Sequence, residues 1–333
     1  MAQRSSRSPR GESKATGDRR PEPATRSSKT RPVPRRQPTV ARKRSGLAPA
    51  AVLATTTVVL AVLVILLVSV FATSPSAAAA YGTMPAPASI TKAISHVPAA
   101  AFSRAGSAAT SSGPYAGGIT VLHSQSPLSE DHKPLIVYVG ANWCPYCAAT
   151  RWPLAVALSR FGTFKGLELT QSSLTDDPSA INSLSFYGST YASRYLGFLP
   201  TEQCSDMPAS GSTKAAAECN GYTPLQPLSL TAARVFDKYD FAPYVPASSA
   251  GGIPFIAFAN AYVEKGALID PSIISAMTHL AIAKSLAKPT GSPGRTILAA
   301  ANDYTAAICK LTGNRPGKVC QMPAVAQAGA QLP

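Results

Sequence analysis

Histidine is scarce in this chain. There are four, His96, His123, His132 and His279, and none stands in a spacing that zinc uses. A structural zinc site also wants a second close cysteine pair beside a C-x-x-C, and the remaining cysteines are too widely spaced to supply one. No metal is expected. A glycine-rich phosphate cradle and a Ser-His-Asp pattern are missing as well, so nothing points to nucleotide chemistry and no cofactor is expected. No internal repeat is present.

Negative charge is also in short supply: 16 Asp/Glu stand against 31 Lys/Arg, a formal net charge of +15. The surplus is not spread evenly. Met1 to Gly46 hold 14 Lys/Arg against 3 Asp/Glu, so most of the basicity belongs to this tail. Residues 1–46 have almost no large apolar side chains, and such a segment cannot offset its ordering entropy. It is expected to be disordered and cytoplasmic, a topology signal. Contact of the tail with nucleic acid or anionic lipid is the alternative; no nucleic-acid partner is expected for the protein.

No charge at all occurs between Arg44 and Lys92. Within that gap, residues 47–72 are built of Ala, Val, Leu, Ile and Thr. A bilayer core takes about 20 apolar residues, so this run is expected to span it as a transmembrane helix. Arg42, Lys43 and Arg44 at its start place the N-terminus in the cytoplasm. A cleavable signal peptide is the rival, with small residues at Ala77 to Ala80, but signal cores run to about 7–15 residues. Localisation at the cell membrane follows, single-pass, with the rest of the chain outside. Residues 73–114, rich in Ala, Ser, Pro and Gly, read as a flexible stalk containing at most a short helix near Ile90. Residues 115–323 read as the folded domain, and 324–333 as a disordered tail.

All six cysteines follow the apolar run: Cys144, Cys147, Cys204, Cys219, Cys309 and Cys320. An even count in an oxidising compartment suggests disulfides, and proximity favours 144–147, 204–219 and 309–320. Cys204–Cys219 would staple a polar loop, with a second redox relay as the alternative. Cys309–Cys320 would staple a helix end to a turn.

"PLIVYVGA", Pro134 to Ala141, has the continuous apolar pattern of a buried strand. A helix is expected from Cys144 to Phe161, with Leu154, Leu158 and Phe161 forming one apolar stripe. Further strands are expected over 167–174, 183–191 and 253–259, with a hairpin partner starting near 261. Helices are expected over 213–219, 230–239, 271–287 and 295–311. This alternation predicts an α/β fold with a mostly parallel or mixed central sheet.

A strand running into a helix across "NWCPYC" puts Cys144 at the helix N-terminus, where orphan N–H groups and the dipole favour a thiolate. Cys147 lies one turn along the same face, within disulfide reach. Pro145 suits the first helical turn, and the Pro145-Tyr146 pair would tune the reduction potential. A purely structural disulfide is the competing reading. Arg151, four residues after Cys147, reads first as a solvated arginine and second as a charge facing the thiols. Phe186, Tyr187, Tyr191, Tyr195 and Phe198 read as core packing, or else as a groove for an unfolded substrate.

W-C-x-x-C after an apolar strand resembles the active-site motif of the thioredoxin superfamily. More closely, "GANWCPYCAATRWPLAVALSRFG", "LSFYGSTYASRYLGF" and "AICKLTGNRPGKVC" resemble an uncharacterised prokaryotic family, domain of unknown function 929. The resemblance covers nearly all of the extracytoplasmic part and implies a thioredoxin-like fold. It makes Cys144 the attacking and Cys147 the resolving cysteine, Trp143 the flanking tryptophan, and Ile253-Pro254 the cis-proline dipeptide that shapes the site. Where many superfamily members carry a buried carboxylate, six residues before the attacking cysteine, this chain has Tyr138. The stretch between the active-site helix and the cis-proline strand is long for the fold and implies an insertion, roughly 193–250. The implied function is a membrane-anchored thiol–disulfide oxidoreductase, an oxidase or isomerase of exported proteins, with a membrane quinone-linked oxidase as regenerating partner. The alternative is a non-catalytic thioredoxin-like binding module.

Overall fold

A computed structural model describes residues 82–108, 118–245 and 247–332. The expected basic tail and transmembrane helix, 1–46 and 47–72, lie outside the described residues. Among the described residues no helix is long and apolar enough to cross a membrane.

The chain opens with β1 (Met84–Pro85), α1 (Ala88–Ser95) and α2 (Ala99–Ala105), followed by β2 (Ile119–Val121), β3 (Ser129–Glu130) and β4 (Lys133–Gly140). α3 (Pro145–Leu158) leads into β5 (Gly162–Lys165), β6 (Glu168–Gln171), β7 (Asn182–Ser185), β8 (Thr190–Ser193) and β9 (Gly197–Glu202). Then come β10 (Cys204–Pro208), α4 (Lys214–Glu218), β11 (Tyr222–Pro224), α5 (Leu230–Tyr239), β12 (Phe255–Phe258) and β13 (Tyr262–Lys265). The chain ends with α6 (His279–Ala287), α7 (Ser292–Leu311), α8 (Gly317–Cys320) and α9 (Pro323–Gln331).

β4 lies inside the main six-stranded sheet, which runs β2–β13–β12–β4, with β9 and β3 also paired to β4. Strand alternation sends Ile136 and Tyr138 to one face and Leu135, Val137 and Val139 to the other. The first face packs beneath α3 and α7; the second packs against Ala232, Val235, Phe236 and Tyr239 of α5. Both faces being covered explains why β4 is apolar throughout rather than alternating.

The sheet is mixed, the second of the two forms expected, rather than mostly parallel. Among the described strands only β4 and β9 run parallel; β12 returns antiparallel to β4, and β13 and β2 follow antiparallel. Strand–helix alternation in sequence does not register that the chain reverses during the long excursion before β12. The expected insertion also begins later than 193, because β9 is itself a strand of the main sheet, paired parallel to β4.

The expected stalk and tail are corrected as well. From Gly82 the chain belongs to the fold: β1 pairs with β6, and Ile90, Ile94, Ala101 and Phe102 are buried. Burying a side chain such as Ile90 contributes about 1.5–3 kcal/mol, enough to hold this alanine-rich stretch. Asn302 of α7 donates to the carbonyls of Phe102 and Gly106 at 3.0 and 2.7 Å. At the other end α9 buries Ala324, Val325 and Ala328, and its core contacts rule out a loose tail. The expected helix over 271–287 is two elements, a 3-10 turn at Pro271–Ile274 and α6, because the Thr278 hydroxyl caps a fresh start by accepting from the Ala281 N–H at 3.2 Å.

Candidate active site

β4 stops at Gly140, where a Cβ would collide with the Tyr138 hydroxyl. The following turn is pinned from both sides. The Asn142 N–H donates to the Cys204 carbonyl and the Gln203 N–H to the Gly140 carbonyl, each at 2.8 Å. The Ser173 N–H donates to the Trp143 carbonyl at 2.7 Å.

This turn delivers Cys144 as the N-cap of α3, with Pro145 in the first turn. The Cys147 N–H donates to the Cys144 sulfur at 3.1 Å, so the sulfur takes one of the orphan donors that a helix start leaves open. The Cys144 sulfur also lies 3.7 Å from the Ile253 carbonyl oxygen. The Ile253–Pro254 peptide is cis. Cys144 and Cys147 are free thiols, 3% and 0% exposed, whereas Cys204–Cys219 and Cys309–Cys320 are bonded. Of the three pairings favoured by spacing, the 144–147 bond is therefore not formed in this structure. Burial pushes the Cys147 thiol well up, and the neighbouring Cys144 pushes the same way; the Arg151 charge pulls against both.

Arg151 corrects the surface reading of the sequence. It is wholly buried, as is every residue of α3 except Tyr146, because the sheet, β7 and α7 enclose the helix. Its Nε and Nη2 form a fork on Glu202, at 2.8 and 2.7 Å to the two carboxylate oxygens. Nη2 also donates to the Ala141 carbonyl at 2.6 Å. Burial works against the charge, but the Glu202 carboxylate overrides it and Arg151 binds its proton more tightly than a free arginine. Leu154, Leu158 and Phe161 are buried as expected, but as part of an all-round contact rather than a stripe.

Tyr138 completes the group. It is wholly buried, and its hydroxyl has no hydrogen-bond partner among the described residues. Burial raises its pKa far above the ordinary phenol value; Arg151 lowers it, and Glu202 and the two cysteines raise it. A phenol so placed stays protonated.

Trp143 stacks on Tyr222 of β11, ring centroids 5.7 Å apart and planes within 7°. The Tyr222 hydroxyl in turn donates to Ser173 at 2.6 Å. Tyr146 packs with Trp143, Tyr222 and Ile253 around the cysteines. The aromatic residues over 186–198 are core packing that touches the site at Phe186, whose ring meets Tyr138 edge-on at 5.2 Å: Phe186, Tyr191 and Phe198 surround Phe164, and Tyr195 meets Phe161 edge-on. Glu202 and Tyr222 were not anticipated from sequence. The available signal was Glu202 as an isolated carboxylate closing the strand "GFLPTE" just before Cys204.

No curated protein and no solved structure matches the chain. The family described as Domain of unknown function (DUF929) matches residues 120–310, more than half of the chain and all of the site, and the protein belongs to it.

Proposed function

We propose that the domain is a thioredoxin-like thiol–disulfide oxidoreductase, held at the outer face of the cell membrane by residues 47–72 and acting on exported proteins. The observation that carries this reading is Cys144 at the N-cap of α3, its sulfur 3.1 Å from the Cys147 N–H and facing the Ile253 carbonyl. The strand order supports it: the motif follows β4, α3 and then strands β5–β8 carry the chain to parallel β9, and an antiparallel hairpin, β12–β13, flanks β4 on its other side.

In the oxidising direction the protein starts with a Cys144–Cys147 disulfide. A substrate thiolate attacks the Cys144 sulfur, and Cys147 leaves as a thiolate that takes up a proton. The second substrate thiolate then attacks the substrate sulfur of the mixed disulfide, releasing Cys144. The substrate has lost two electrons and the protein holds the dithiol. Arg151 stabilises the departing Cys147 thiolate electrostatically, and Tyr138 supplies a protonated phenol in the same field. A membrane quinone-linked oxidase is the proposed acceptor that restores the disulfide.

Titration of the full-length protein with reduced and oxidised glutathione tests the reading. The 144–147 couple should have a potential above about −300 mV, the range below which structural disulfides lie. A lower value overturns the enzyme reading in favour of a binding module.

A further inference from the structure

We propose that the Cys204–Cys219 bridge is a second redox centre, exchanging with the Cys144/Cys147 dithiol inside one molecule. The proposal rests on the thiol–disulfide chemistry above and adds an internal partner to it. Cys144, Cys147, Cys204 and Cys219 form one buried cluster with Ala141, rimmed by Trp143, Tyr146, Tyr222 and Ile253. Two contacts between the insertion and the motif turn hold the bridge there. The Asn142 N–H to Cys204 carbonyl bond ties one end of the bridge to the turn. The Trp143–Tyr222 stack ties down β11, just beyond Cys219. A staple for a polar surface loop needs none of this.

Exposure points the same way. The bridge cysteines are each 5% exposed, and Cys144 and Cys147 are 3% and 0% exposed. The two pairs are shielded from bulk solvent yet share one apolar pocket of the fold, and they are in opposite oxidation states. Cys309–Cys320 makes the contrast: it joins α7 to α8 and belongs to a different cluster, with no free thiol in it.

The exchange balances without an outside reagent. The Cys144 thiolate attacks one sulfur of the bridge, forming an internal mixed disulfide and expelling the other as a thiolate. Cys147, losing its proton, attacks the Cys144 sulfur, closing 144–147 and expelling the second bridge sulfur. The two protons released by Cys144 and Cys147 end on Cys204 and Cys219, and two electrons move from one pair to the other. The bridge thus stores one two-electron oxidation behind the site.

The test uses the full-length chain, acid-quenched and alkylated with distinguishable reagents before peptide mass spectrometry. In Cys147→Ser, Cys144 should be caught in a disulfide with Cys204 or Cys219, at monomer mass and in a yield independent of protein concentration. In Cys144→Ser, where serine is itself a good N-cap, reduction of the bridge by glutathione should slow by about tenfold or more relative to wild type. If Cys147→Ser carries only glutathione on Cys144 while 204–219 stays intact, the relay is wrong and the oxidoreductase reading survives. If Cys144 takes no thiol adduct at all, both are wrong. Equal rates of bridge reduction in Cys144→Ser and wild type also overturn the relay.

Discussion

Replacing Arg151 and Glu202 together should cost no more than replacing either one alone. The two side chains are wholly buried and meet in a two-bond fork. Removing one partner strands the other as an uncompensated buried charge, which costs about 3–5 kcal/mol. Against a whole-domain stability of about 5–15 kcal/mol, that is a third or more of the total. Arg151→Met keeps most of the stem volume but also strips the Ala141 carbonyl of its 2.6 Å donor. Glu202→Gln keeps an acceptor for the Phe186 N–H, which now reaches Oε1 at 3.4 Å. In the double variant no charge is left behind, so its loss should be no greater than that of either single variant, giving a coupling energy of about 3 kcal/mol. Urea unfolding followed through the chain's two tryptophans, Trp143 and Trp152, measures all four corners of the cycle. A loss below about 1 kcal/mol for Arg151→Met, or additivity of the two singles, would refute the reasoning and return Arg151 to the solvated surface.

Tyr138→Phe removes a buried hydroxyl that has no partner among the described residues, and should leave stability unchanged or raise it by about 1 kcal/mol in the same urea assay. Cys309→Ala with Cys320→Ala should cost about 3 kcal/mol on chain-entropy grounds while glutathione exchange at Cys144 is unaffected, read by calorimetry and by mass spectrometry. Burial raises the Glu264 carboxyl to about 8, with the Tyr304 hydroxyl and Leu268 N–H pulling it down. The folded state therefore favours the protonated acid: the stability this contributes is full below the ordinary carboxyl range and lost as pH rises towards 8. Glu264→Gln should flatten the fall in unfolding free energy between about pH 5 and 8, and a slope equal to wild type would count against it.

The elements that carry the cysteine pair are legible in the sequence. The buried strand, the Cys-Pro-Tyr-Cys helix start and the 255–265 hairpin carry strong local signals, either continuous β-branched runs or a proline at a helix N-terminus. What was missed shares a different physics. α2 and α9 are made mostly of alanine and other small residues, so they show little large apolar periodicity, and both seat on α7, where Ala306 and Ala307 are buried. The same composition reads as a stalk or a tail. α1, expected as a short helix near Ile90, instead seats Ile90 and Ile94 against α6 and α3. Glu202 was hidden because its partner lies 51 residues away, and a lone charge gives no hint of where its counterion will fold. Tyr222 sits in the insertion, and only the tertiary fold brings it onto Trp143.

The interlock of the two chain ends bears on what counts as a module here. The family match stops at residue 310, one residue past Cys309, and begins after α2. A piece cut at those limits would leave Cys309 with an unpaired thiol, Asn302 without the carbonyls of Phe102 and Gly106, and the α9 seat on α7 bare to water. Such a piece would be prone to cross-link through Cys309 into dimers that mimic redox adducts. The unit that folds is therefore longer at both ends than the unit that sequence comparison recognises, and the natural cut points lie before Gly82 and after Gln331.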